Sequence, residues 1–277
     1  MYLKREFFQL RKIEERFMKP ILNMIANYTR NDFLSDIVLI LITYGYLFIT
    51  ILIPVYLKKR NLISKFVARK IVHLCSGLVV LIVPFFKLPL HAIYIALTMT
   101  IIVYFSTRNS SVKQLQELYE SIGEEAEEPI GRLQGPFHYS ISITSLISIF
   151  VIFAPNQLYF PISGILIMII SDTFAALVGR KCGRIKLAPA YTHSQRTLEG
   201  STAFFVSAFL LCFATFYFYG LGNPINQERL SLNLIFGYAL LMSLVSTLVE
   251  LFSPSIYDDL TVPITATIII YFLVKLI

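Results

Sequence analysis

The chain reads as all-α: a polytopic transmembrane bundle of about eight spans, with an amphipathic interfacial helix at its N-terminus. Three observations predict this. Of 277 residues, 56% are hydrophobic and 15% charged, and the mean hydropathy is +0.69, far more apolar than an ordinary soluble domain. The apolar residues fall in runs close to the roughly 20 that a spanning helix needs. Basic residues collect in the short segments between those runs, as the positive-inside rule leads one to expect.

Residues 1–35 come first, with Phe, Leu and Ile mixed among Lys, Arg and Glu, the pattern of a helix lying in the interface. They lack the short apolar core and small-residue cleavage site of a signal peptide, so no removed leader is expected. Residues 36–277 form the transmembrane unit. Spans are predicted at 36–57, 71–86, 88–106, 138–153, 157–178, 201–219, 233–253 and 260–277. Only Lys87 and Leu88 precede Pro89 between the second and third, which predicts a tight helical hairpin. There is no internal repeat and no soluble domain.

With eight spans the odd-numbered connections, 58–70, 107–137, 179–200 and 254–259, share one face. They carry most of the loop Lys and Arg, whereas the even ones hold only Lys87 and Arg229, so the odd face is expected in the cytoplasm. The N-terminal tail, with seven basic residues from Lys4 to Arg30, runs against this count. The net charge of +7 flanks apolar segments instead of interleaving with aromatics, so membrane lipids and phosphates are better partners than nucleic acid. Cys75, Cys182 and Cys212 show no metal or disulfide spacing.

Polar residues inside the apolar runs need a reason. Asp172 sits seven residues before Gly179, roughly 10 Å inside its helix end, and a carboxylate there costs about 2.5–3.5 kcal/mol on insertion scales. Gly179, Arg180, Lys181 and Gly183 follow it, then Arg196, Thr197, Glu199, Gly200 and Ser201 in "HSQRTLEGS". Backbone amides beside guanidinium and ammonium groups suit a polyphosphate, although a solvated basic loop has the same composition. Arg69, Lys70 and His73 in "ARKIVHLCSG" place Arg69 and His73 on one helix face. Glu250 closes the seventh span, and Asp258 and Asp259 are expected in a short loop after it. With Asp172 these three acids offer hard oxygens for Mg²⁺, which bridges one or two carboxylates to substrate phosphates. The stretch "ESIGEEAEEPIGR" lacks apolar periodicity and reads as a solvated loop; Arg132 and "LQGPFHYS" after it are a weaker candidate. No GxxxxGK[ST] P-loop is present.

In this order along residues 66–277, "RKIVH", "SDTFAALVGRKCGR", "RTLEGS" and "ELFSPSIYDDLTVP" resemble the CTP-dependent polyprenol kinase family, which includes dolichol kinases and phytol kinases. The middle block is also similar to CDP-diacylglycerol synthases; the Arg-Lys-x-x-His entry and the "DDLTVP" exit are what separate the two. The chain departs from the kinase pattern at Ser171, where Gly is frequent, at Arg196-Thr197, where Lys-Ser is frequent, and at Asp259, where Asn is frequent. The last bears on the metal-ligand assignment.

The resemblance implies transfer of the γ-phosphate of CTP to an isoprenoid alcohol. Asp172, Arg180, Lys181, Arg196 and Glu199 are then expected to serve catalysis. Arg69, Lys70, His73, Gly179, Gly183, Thr197, Gly200 and Ser201 would bind the nucleotide, and Asp172, Glu250, Asp258 and Asp259 the Mg²⁺. The rival readings are a CDP-lipid-forming cytidylyltransferase and an ion-coupled transporter.

Overall fold

In the computed structural model the described residues are 19–187, 189–192, 196–222, 226–254 and 257–276; the predicted interfacial helix lies outside them as far as residue 18. A short helix α1, Lys19–Ala26, precedes α2, Arg30–Lys59, so residues 30–35 already belong to the first span. Thr29 starts α2 with a capping box: its hydroxyl accepts from the Asp32 amide while the Asp32 carboxylate accepts from the Thr29 amide.

The remaining elements are α3, Lys65–Phe85; α4, Leu90–Phe105; α5, Lys113–Ile122; α6, Gln134–Phe153; α7, Tyr159–Cys182; α8, Leu198–Gly222; α9, Leu232–Phe252; and α10, Asp258–Leu276. Each predicted span has its helix. Six of them (α2, α3, α6, α7, α8 and α9) are long and apolar enough to cross a membrane, and α4 is a shorter apolar helix. The chain is an integral membrane protein of polytopic helical design. The tight hairpin is present, α3 ending at Phe85 and α4 starting at Leu90.

α7 is the axis of the bundle. Every residue from Tyr159 to Leu166 is buried, because this first part of the helix is apolar nearly all round and is covered on all sides. It packs against α6, α8, α10 and the end of α3. α2 does the opposite: Leu41, Ile42, Phe48, Ile49 and Leu52 are all more than half exposed, as befits a helix facing lipid.

The connections sort by parity. Those expected on one face touch one another: Lys59 pairs with Glu117, Arg69 with Glu124 and Glu127, Arg196 with Asp258. The hydrogen bond from Lys59 holds the Glu117 carboxyl below its usual range. The even connections meet at the other end, where Gln157 bonds Glu228 and the Leu158 amide donates to Gln227.

Asp36 closes that second end. It is fully buried, and it accepts from the amides of Lys87 and Leu88 at 2.8 and 2.9 Å and from the Tyr28 hydroxyl at 2.8 Å. Burial, and then this carboxylate, push the Tyr28 hydroxyl well above the ordinary tyrosine range. A buried carboxylate is tolerated here because three donors satisfy it. Asp36→Ala strands two amides of the α3–α4 hairpin, so it should lower stability by about 2–4 kcal/mol. The readout is the thermal unfolding midpoint of the detergent-purified protein; an unchanged midpoint would mean that Asp36 does not hold the hairpin.

Candidate active site

The site begins with an irregularity in α7. Ile167–Ser171 is π-helical, and the Asp172 amide bonds back to Ile167 O. Such bulges turn the following residues about the helix axis and recur at functional sites. Here the bulge delivers Asp172 to a small enclosed pocket, lined also by Met168, Phe204, Glu250, Asp258 and Asp259. All four acids expected to converge do so, from α7, α9 and α10. Asp258 and Asp259 are in the first turn of α10, not in a loop as the sequence suggested, since acids at a helix N-terminus meet its positive dipole end.

Arg196 holds this cluster together. Its side chain is 10% exposed; Nε contacts Glu250 Oε1, Nη2 lies 3.4 Å from Asp258 Oδ2, and Nη1 donates to Ser253 O. The residue expected to grip phosphate is thus committed to carboxylates. An acidic pocket between apolar helices needs such a partner, because unpaired charge there is far more costly than paired charge. Lys70 adds to the positive field, acting together with Arg196 on Asp172 and with Arg69 on Asp259.

Among the described residues no three acidic, His or Cys side chains are arranged to hold a metal ion by themselves. The donor set nevertheless fits Mg²⁺, which needs only one or two protein carboxylates when phosphates complete its shell. Glu250 Oε2 is buried with no hydrogen-bond partner, an acceptor oxygen left over by the Arg196 pair.

The glycines, expected to cradle phosphate, also serve close packing. A Cβ on Gly183 would lie 2.3 Å from Gly179 O and 2.6 Å from Thr197 Cγ2, and one on Gly200 3.1 Å from Ala175 O. Gly179, Gly183 and Gly200 therefore let the end of α7 approach the start of α8, with Thr197 between them as the α8 N-cap. Glu199 accepts from the amides of Arg184 and Ile185, which closes the α7–α8 connection on itself. Ser201 is buried with its hydroxyl unpartnered. Arg180 and Lys181 are exposed on the last turn of α7, Arg180 over the Phe66 ring at 5.7 Å.

The acidic stretch read as a solvated loop is not wholly so. Glu120, Glu124, Glu125 and Glu128 are exposed, but Glu127 is 5% exposed. It accepts from Arg69 at 2.9 Å and from the amides of Glu124 and Gly135. Arg69 also lies 3.2 Å from Glu124, so its charge is taken up by carboxylates rather than by a nucleotide. The missed signal was the E-x-x-E spacing of a capping box. His73 packs tilted against Tyr139 at 4.3 Å and does not line the acidic pocket, while Arg132 is exposed over Tyr104.

Arg196→Ala leaves Glu250 buried without its cation and should cost about 3–5 kcal/mol, whereas the double change Arg196→Met with Glu250→Met should recover most of that loss. Unfolding in detergent compares the two. A single variant as stable as the unaltered protein would contradict the clamp.

Comparison with characterised proteins gives the same direction as the motifs. No family model and no solved structure significantly matches the chain. It is 25% identical to soybean "Probable phytol kinase 1, chloroplastic" across 78% of its length and 70% of the relative. With phytol kinase 1, chloroplastic, of Arabidopsis thaliana it shares 26% identity, covering 87% of the chain and 77% of the relative. The dolichol kinase of Saccharomyces cerevisiae is 30% identical over 58% of the chain, a match that spans only 29% of the larger yeast protein. Over most of its length the chain is therefore polyprenol and phytol kinase-like, and that is the family it resembles.

Proposed function

We propose that this protein is a membrane kinase that transfers the γ-phosphate of CTP to the hydroxyl of a long-chain isoprenoid alcohol of the dolichol, phytol or geranylgeraniol type. The observation that supports it best is Asp259, which lines both the acidic pocket and a large apolar cavity. A polar reacting centre thus abuts a space suited to a lipid. The phytol and dolichol kinase relatives support the reaction class, and the resemblance of "RTLEGS" and "DDLTVP" supports CTP as donor.

The alcohol oxygen attacks the γ-phosphorus as the bond to the β–γ bridging oxygen breaks, and that electron pair leaves with CDP. Asp172 is placed to orient the hydroxyl and take its proton. Arg180 and Lys181 meet the triphosphate from the aqueous side, and Lys70 lends positive potential to the pocket. Glu250, Asp258 or Asp259 would hold Mg²⁺, which when bound supplies charge neutralisation for the donor's phosphates. The basic connections around this end support a cytoplasmic position for it.

The decisive assay uses the purified chain in micelles with Mg²⁺, phytol, geranylgeraniol or dolichol, and CTP labelled at either the γ or the α phosphorus. Label enters lipid from the γ position only. Label entering from the α position, with phosphatidic acid as acceptor, would make the protein a cytidylyltransferase and overturn the reading. Asp172→Asn should reduce turnover at least about a hundredfold if it handles the proton, with unaltered yield of folded protein; full activity would remove Asp172 from the mechanism.

A further inference from the structure

The cavity beside the acidic pocket is lined mostly by apolar side chains, as small-molecule sites usually are. α2 to α6 enclose it, and its walls are chiefly Val, Ile, Leu, Ala and Met. On α4 the lining runs from Ala92 to Val103, roughly 16 Å of helix and about half the thickness of a bilayer's hydrocarbon core. Its polar groups gather towards one end, where Arg69, His73 and Asp259 contribute.

The charges at that end exclude an acidic head group. Arg69, the cation among the lining residues, is already paired with Glu124 and Glu127, and Asp259 presents a further carboxylate, so the carboxylate of a fatty acid seated in the cavity meets like charge at its mouth. An uncharged hydroxyl finds acceptor oxygens. We propose that this cavity seats the apolar chain of a single-chain, neutral lipid alcohol, with Ala92 and Ala96 limiting how much chain it holds and Asp259 marking where the hydroxyl enters the acidic pocket. This names the lipid seat for the activity proposed above and rests on that reading.

Small residues at 92 and 96 are what keep the cavity open between α3 and α4. Ala96→Phe fills its middle and Ala92→Phe its far end. With the purified full-length chain, binding of radiolabelled geranylgeraniol is measured directly, in competition with unlabelled farnesol or oleic acid, alongside phosphorylation kinetics. The unaltered chain should bind geranylgeraniol, lose it to farnesol and keep it against oleic acid. Ala96→Phe should weaken geranylgeraniol binding and raise its KM at least about tenfold, the scale of a blocked apolar subsite, while the KM for CTP stays the same. Ala92→Phe should penalise geranylgeraniol more than the shorter farnesol.

The two proposals fail separately. Geranylgeraniol binding that Ala96→Phe abolishes, in a chain that phosphorylates no alcohol, would keep the lipid seat and discard the kinase. Active enzyme with unchanged binding and KM in both variants would discard the seat and keep the kinase, and displacement by oleic acid as effective as by farnesol would overturn the neutral-head selection. Should the Phe variants not fold, Ala96→Cys supplies the test. Labelling of that thiol by a small methanethiosulfonate, read by peptide mass, should be blocked by geranylgeraniol, and labelling indifferent to the alcohol would overturn the assignment.

Discussion

Charge neutralisation inside an apolar bundle is the constraint that organises this protein. Four carboxylates line one enclosed pocket, an arrangement no helix bundle tolerates without cations close by. Arg196 answers it from the α7–α8 connection, reaching Glu250 at the end of α9, Asp258 at the start of α10 and the Ser253 carbonyl between them. One guanidinium thereby fixes three chain segments. The cost is that Arg196 is drawn away from the aqueous phase, whereas Arg180 and Lys181 stay exposed to it.

The same principle recurs twice. Arg69 and Glu127 tie α3 to the segment before α6, and Asp36 ties α2 to the α3–α4 hairpin through two amides and a tyrosine. Between those two ties lies the apolar cavity. Polar contacts at its two ends fix the helices around it, which lets a space persist where close packing would otherwise be favoured. Asp259 stands at the border of the two chambers, so a water-soluble donor and a membrane-borne acceptor have separate routes to one point.

The glycines show a packing need that the motif did not announce. In "GRKCGR" and "EGS", Gly179, Gly183 and Gly200 are closely approached by Thr197 and by backbone. Their service is to let two helix ends approach closely enough for Arg196 to reach across. The π-helical turn before Asp172 serves the same geometry.

What the sequence by itself determined was the membrane class, the order of the apolar helices, and the four acids that line one pocket, because each depends on local apolar length or on a charge that hydrocarbon does not tolerate; the buried Asp36 and Glu127 and the helix α5 were not legible in it. Its basic loops also showed which connections share a face, which the ion pairs among them bear out. Only the tertiary structure decided the pairings: that Arg196 answers Glu250, that Glu127 is buried under Arg69, and that α2 to α6 leave a cavity between them. Those outcomes follow from which helix faces meet. Residues separated by some 50–60 positions, such as Arg69 and Glu127 or Arg196 and Glu250, carry no local periodicity that announces their partner.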